Sequence, residues 1–246
     1  LGFGDALRDA HPGAVYHHQG QSYEVTDLDL DRDVATLQST WADYYTRVLT
    51  EKSITVDRDR DATPLSARPE VEVRLADVTV TEQVTGFERR DAKRGEALGR
   101  EALDLPETTL STTALYFTVP ADVEMAMREV GDFDGGIHAA EHGLISLLPL
   151  ELLCDRADVG GLSTPYHDHT GASTVFVYDG YPGGVGLARG AYERIEPLLA
   201  RTGRMIDACE CADGCPACVQ SPHCGNANEP LAPDPAVHLL TALTDD

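Results

Sequence analysis

Lysine is almost missing from this chain: Lys52 and Lys93 are the only two, and every other cation is an arginine. With 42 acidic residues against 19 basic ones, the formal net charge is −23. Such a surface repels nucleic acid at ordinary ionic strength. Two explanations are open. One is a cationic partner; the other is life in molar salt, where the Debye length is about 3 Å and acidity serves solubility. The acidity is spread along the chain rather than gathered in a tail, which favours a halophilic cytoplasm. Local arginine clusters can still contact phosphate under that reading.

Other absences narrow the function. No window reaches the length of a membrane span, so no membrane partner is expected. No basic segment followed by an apolar one opens the chain, and clustered cysteines without a targeting signal point to a reducing cytoplasm. The chain starts at Leu1, which suggests a piece of a longer polypeptide. There is no G-x-x-x-x-G-K-[ST], no acidic D-E-x-[HD] run and no triad spacing around a serine. The chain is therefore expected neither to bind ATP through a phosphate loop nor to hydrolyse it. Aromatics make up 6% of the sequence, with a single tryptophan. Tyr16, Tyr23, Trp41, Tyr44 and Tyr45 read as packing residues; the sharper alternative is a stacking platform for single-stranded bases.

What is present suggests an α+β fold. Residues 1–10 read as the end of a helix stopped by His11-Pro12-Gly13. Short alternating runs follow at 14–18, 22–30 and 34–40, broken at Gln19-Gly20-Gln21 and Asp31-Arg32-Asp33. Strand character continues through 54–56, 71–84 and 86–90, with a polar break around 57–69. A β-rich, barrel-like module over residues 1–120 is the natural architecture. Pro120 then ends a strand and the pattern turns helical at 121–130 and 137–154. The second of these segments is apolar on nearly all sides and should lie buried. A strand at 173–178, a helix from about 185 to 200 and a last helix near 235–244 complete an α+β domain over 121–246. Cys154, at the end of the apolar helix, reads as a core thiol.

Cys209 to Pro230 reads CECADGCPACVQSPHCGNANEP and holds five of the six cysteines. Thiolates this dense form either a disulfide knot or a tetrahedral metal site. A chain of 246 residues can build a core without such staples,. Zn²⁺ takes four soft ligands, and cysteines on tight turns supply them with little entropy lost. Gly214-Cys215-Pro216 and Cys224-Gly225-Asn226 are such turns. Five candidates for four places leave one spare.

The same stretch, extended to Leu231, resembles the four-cysteine signature at the C-terminus of the MrfA-like helicases, the mitomycin-repair branch of superfamily 2. The likeness continues through GGIHAAEHGLISLLPLELLCDRADVGGLSTPYHDHTG, STVFVYDGYPGGVGLA and the N-terminal HPGAVYHHQGQSYEVTDLDL, and so covers most of the chain. The resemblance implies the C-terminal accessory and zinc-binding region of an ATP-dependent DNA helicase, with 3′-to-5′ unwinding in DNA repair as the family function. It implies single-stranded DNA and the helicase motor domains as partners, with ATP bound only by the motor. It also implies a structural Zn²⁺ on Cys209, Cys211, Cys215 and Cys218, leaving Cys224 as the spare or substitute.

Other motifs compete for chemistry. His138-Ala139-Ala140-Glu141-His142 fits H-x-x-E-H, which on a helix places two imidazoles and a carboxylate together. A stand-alone zinc hydrolase is thus an alternative, with Glu193 or Glu196 as the missing ligand. An acidic protein-interaction module is another. A closed cysteine site gives one zinc per chain, whereas a hydrolase adds a second; an acidic–basic complex weakens as salt rises. Arg89 and Arg90, with Lys93 and Arg94, form the densest basic run and are candidate phosphate contacts, unless they are a solvated hairpin tip. The turn 179–186, with Gly183 and Gly184, is a second candidate anion site. His167-Asp168-His169 reads as a solvated loop, and Arg201-Thr202-Gly203-Arg204 as a cation-rich helix end.

Overall fold

The turn Gln19-Gly20 holds φ of 49° and 76°, so both residues of the two-residue loop are left-handed. That conformation matches the twist of a tight hairpin, and it joins β1 (Val15–His18) to β2 (Gln21–Asp29). With β3 (Val34–Ser39) they form an antiparallel three-stranded sheet in sequence order. This computed structural model describes residues 1–245. Its chain divides into two units, Leu1–Lys52 with Glu82–Thr108, and Ser53–Thr81 with Thr109 onward. Two long strands, β4 (Tyr44–Pro64) and β5 (Glu72–Asp91), contribute residues to both units. The units are therefore interleaved in sequence, while 120/121 marks the change from strand to helix.

In the first unit, α1 (Phe3–Asp9) buries Leu7, and Ala10, Ala14 and Val25 form a small core. His11 is buried with its ring 4.6 Å from that of Phe87, and burial lowers its pKa. β6 (Ala97–Ala102) pairs antiparallel with the end of β5. The expected barrel does not close: the three-stranded sheet ends at β1 and β3, and the larger sheet runs β4-β5-β7-β9-β8 with β6 beside β5. Sheet closure depends on long-range edge pairing, which alternation along a strand does not encode.

In the second unit, β7 (Thr108–Thr118), β8 (Val159–His167) and β9 (Ala172–Asp179) pair antiparallel in the order β7-β9-β8. The period of two is visible in burial. Leu115, Phe117, Val175 and Val177 enter the main core, while Ala114, Tyr116, Phe176 and Tyr178 form a second cluster,. The expected polar break at 57–69 is strand as far as Pro64. Its charges pair with groups of the neighbouring strand: Arg58 and Arg60 with Asp77 at 3.2 and 2.6 Å, and Asp59 with Arg74 at 2.9 Å. Opposite charges across a ladder stabilise it, so a charge-rich segment is a strand here.

Beyond β7 come α2 (Ala121–Val130) and α3 (Phe133–Leu152). Asp132 caps α3 by accepting from the Gly135 N–H at 3.0 Å. α3 is buried over most of Phe133–Leu148, against β8, α5 (Ile195–Asp207) and α6 (Pro233–Thr244), whereas Leu150 and the left-handed cap Leu153, both expected within the buried helix, are exposed. Two glycines permit this closeness. A Cβ on Gly136 would lie 2.6 Å from the Pro235 Cβ of α6, and one on Gly143 would lie 2.8 Å from Thr202 Cγ2 of α5. The helix expected at 185–200 is instead two pieces, α4 (Leu187–Tyr192) and α5. Among the described residues no helix is long and apolar enough to cross a membrane.

Candidate metal centre and its surroundings

α5 ends at Asp207, and the chain enters the cysteine loop with the Cys209 N–H donating to the Ile206 carbonyl at 3.1 Å. Gly214 turns it at φ 83°. A Cβ there would sit 2.5 Å from Val219 Cγ2. The N–H groups of Cys218, Val219 and Gln220 then converge on the Cys215 carbonyl at 3.0, 3.1 and 3.0 Å. Cys218 and Val219 are buried in the main core, so the loop is tied to the fold from beneath.

This local folding brings four sulfurs together. Sγ–Sγ separations are 3.4 Å for Cys209–Cys211, 3.6 Å for Cys209–Cys215, 3.5 Å for Cys211–Cys218 and 3.7 Å for Cys215–Cys218. All four sulfurs lie within 4.8 Å of one another. A tetrahedron of Zn–S bonds of about 2.3 Å requires sulfurs about 3.8 Å apart. The six cysteines carry no disulfide. Electrostatics points the same way. Sharing with Cys209 and Cys218 pushes the Cys211 thiol up to about 12, while the Ala217 N–H and then Cys209 bring Cys215 down to about 7. Four thiolates this close need a cation to ionise together. The residues fit a zinc ion.

Cys224 does not join the four. It lies with His138 and His142, and the three donor atoms are within 4.8 Å of one another. Burial pushes the Cys224 thiol up, but hydrogen bonds and charge from His138 and His142 outweigh it and lower it to about 5. The expected hydrolase ligands are elsewhere. Glu196 accepts from the Ser66 N–H at 2.7 Å, and Glu193 is exposed. Glu141 is buried and accepts from Ser163 Oγ at 2.9 Å.

The candidate phosphate contacts fall in both units: Arg89 and Arg90 in the first, Gly183 and Gly184 in the second. Arg89 pairs with Glu101, and its guanidinium lies 5.6 Å from the centre of the Tyr44 ring. Arg90 and Arg100 bracket the fully buried Glu88 at 2.8 and 2.6 Å. Burial raises the Glu88 pKa, but the two arginines outweigh it and hold the carboxyl below its ordinary value. At the glycine turn, Gly183, Gly184 and Gly186 have φ of 77°, 75° and 97°. The amides that follow hold an anion from the chain itself. The buried Asp179 carboxylate accepts from Val185, Gly186, Leu187 and Ala188 N–H groups at 2.5, 2.7, 3.3 and 2.5 Å. Sequence reasoning saw the nest and missed its occupant, although an aspartate ending a buried strand just before the glycines was the available signal.

His167, Asp168 and His169 do not converge: His167 Nε2 meets the Ile54 carbonyl at 2.8 Å, and His169 faces Asp59 at 3.9 Å. Arg201 pairs with Glu151. Trp41 is fully exposed and Tyr45 is partly so, which corrects the packing reading for Trp41.

Comparison with known proteins agrees with this site. Residues 140–219 match the MrfA Zn-binding domain family, a segment that holds all four clustered cysteines. The chain is 31% identical over 218 residues to the ATP-dependent helicase YprA of Bacillus subtilis, covering 87% of this chain and 28% of that protein. It is 26% identical to the ATP-dependent helicase HRQ1 of Saccharomyces cerevisiae, covering 87% of this chain and 21% of the relative. A crystal structure of the DUF1998 helicase MrfA bound to DNA superposes with a TM-score of 0.62 at 26% identity, over 98% of this chain and 31% of that one. The chain thus spans less than a third of each of these proteins.

Proposed function

The chain belongs to the zinc-binding C-terminal region of the MrfA-like helicases, and we propose that it serves an ATP-dependent DNA helicase as an accessory element, with the motor on sequence outside it. The observation that carries this reading is the four-sulfur cage inside the segment matching the family. Four thiolate ligands close the coordination of zinc and leave no position for substrate, so the metal's role is structural. It ties the loop at 209–218 to the core through Cys218 and Val219. ATP enters only through the motor, since this chain has no phosphate-cradling loop. The working environment is the cytoplasm, and the family activity is 3′-to-5′ unwinding in DNA repair.

Single-stranded DNA is the partner we assign to this region. An exposed tryptophan provides a face for base stacking that needs no sequence preference,. Arg89 and Arg90 can reach phosphate by exchanging Glu101 and Glu88 for it. A phosphate at Gly183 and Gly184 must displace the Ser111 and Tyr181 carbonyls that accept from their N–H groups, and Asp179 already fills the amides that follow. The test uses the lone tryptophan as its own reporter. Titration with a single strand at low salt should quench Trp41 fluorescence, and duplex should quench it less. Trp41→Ala should weaken single-strand binding roughly 5- to 150-fold, the equivalent of about 1–3 kcal/mol for one stacked base. Unchanged fluorescence together with unchanged affinity in Trp41→Ala would refute the single-strand assignment.

A further inference from the structure

Besides the four-cysteine cage, the second unit holds another group of metal-competent side chains. His138 and His142 stand one turn apart on α3 with ring centroids 4.3 Å apart. Each Nδ1 is engaged by a backbone carbonyl from the far side of the cysteine loop: His138 by Pro230 and His142 by Val219, both at 2.7 Å. A carbonyl only accepts, so both imidazoles carry hydrogen on Nδ1; in the neutral ring Nε2, the nitrogen on the Cys224 side of His138, is then the one with a lone pair for a metal,. That is how proteins orient a histidine for a metal. His138 Nε2 lies 3.5 Å from Cys224 Sγ. Zinc bonds of about 2.0 Å to nitrogen and 2.3 Å to sulfur at a tetrahedral angle give about 3.5 Å between those atoms.

We propose that His138, His142 and Cys224 form a second divalent-cation site of the zinc class, with three protein ligands and a fourth position for water. It is distinct from the four-cysteine cage, and the proposal does not depend on the helicase reading. The site pins the 219–230 segment onto α3. It is not arranged as a hydrolytic centre. Glu141 is directed at β8, where its carboxylate accepts from Ser163 Oγ and fills the space that a Cβ on Gly161 would need, 2.4 Å from Glu141 Oε1. The neighbouring charges are Glu141 and Arg156, and the latter donates to Ser221 Oγ at 2.9 Å. With the Cys224 thiolate, these charges sum to −1 before the metal enters. The family segment ends at residue 219, so Cys224 lies outside it.

The test is metal stoichiometry of the whole chain purified under reducing conditions. Elemental analysis should give two zinc ions per chain. Cys224→Ser and His138→Gln should each retain one, and Cys215→Ser should lose the ion of the other site. Cobalt substitution separates the two environments: the intense tetrathiolate charge-transfer band should survive in Cys224→Ser, which also reports that the loop is folded. The weaker single-thiolate contribution should vanish. One ion in the unmodified chain, with Cys224→Ser and His138→Gln unchanged from it, overturns the site and leaves a metal-free thiolate–imidazole cluster. Two ions retained in both variants overturn it equally. If Cys224→Ser loses both ions, His138→Gln decides, because it keeps every cysteine: one ion supports the site, and two or none overturns it.

Discussion

Asp179→Ala should be among the most damaging single changes outside the metal loop. Asp179 is fully buried, and its two carboxylate oxygens accept from four consecutive amides at the start of α4. Truncation removes all four charge-assisted bonds at once. Val185 and Gly186 are exposed, so water replaces the carboxylate there at small loss. Ala188 is buried, and its N–H has no such recourse. An orphaned buried donor costs about 1–3 kcal/mol, and the exchange of charged for water-mediated bonds adds about 2. The sum, about 3–5 kcal/mol, is a large share of the roughly 5–15 kcal/mol that stabilises a typical protein. Asp179→Asn keeps one acceptor oxygen and should fall between the two. The assay is urea unfolding followed by circular dichroism. With a slope of about 2–3 kcal/mol/M, the Asp179→Ala midpoint should drop by about 1–2.5 M with the slope unchanged. A loss below about 0.5 kcal/mol would refute the reasoning, because it would mean the nest does not need its internal anion.

Cys215→Ser should remove the ion held by the four sulfurs and expose residues 209–218 to proteolysis, while the β7-β9-β8 sheet stays folded. Structural zinc is worth on the order of 10 kcal/mol in small finger peptides, but here α3 keeps its own core. Elemental analysis with limited proteolysis checks this, and global unfolding would contradict it. Gly136→Ala gains about 1 kcal/mol of helix propensity but must push Pro235 from 2.6 Å, an overpacking cost of about 1–3 kcal/mol,; net destabilisation in thermal melts is the expected sign. Glu88 has a lowered folded-state pKa, so its contribution is present above pH 4.5 and lost as pH falls through the lower folded value,. Glu88→Gln should therefore lower stability at neutral pH and flatten the acid limb of a melting-temperature profile.

The parts of this fold that were legible in the sequence are those whose determinants are local. Gln19-Gly20 announces its hairpin because the turn itself demands left-handed residues. α3 was visible because burial of most residues up to Leu148 leaves an apolar run with no polar stripe. The four clustered cysteines were visible because Cys209 to Cys218 spans ten residues. What stayed hidden has partners far away in the chain. Asp57 to Pro64 looks like a loop until Arg74 and Asp77 supply opposite charges across the strand pair. Asp179 looks like a turn residue until the amides after the glycines fold back over it. The H-x-x-E-H spacing put two imidazoles and a carboxylate together on a helix, which in the sequence offered a hydrolase as an alternative. The arbiter is Cys224, 86 residues from His138 and counted at first as a spare ligand for another site. Five cysteines for four places leave one spare, and the fold sets that spare, Cys224, beside the two imidazoles. The four clustered sulfurs suit one closed tetrahedron, and the proposed second site takes Cys224 with the two imidazoles of α3 as three ligands and an open position,. Ligand type and distance, rather than motif order, assign each donor to its place.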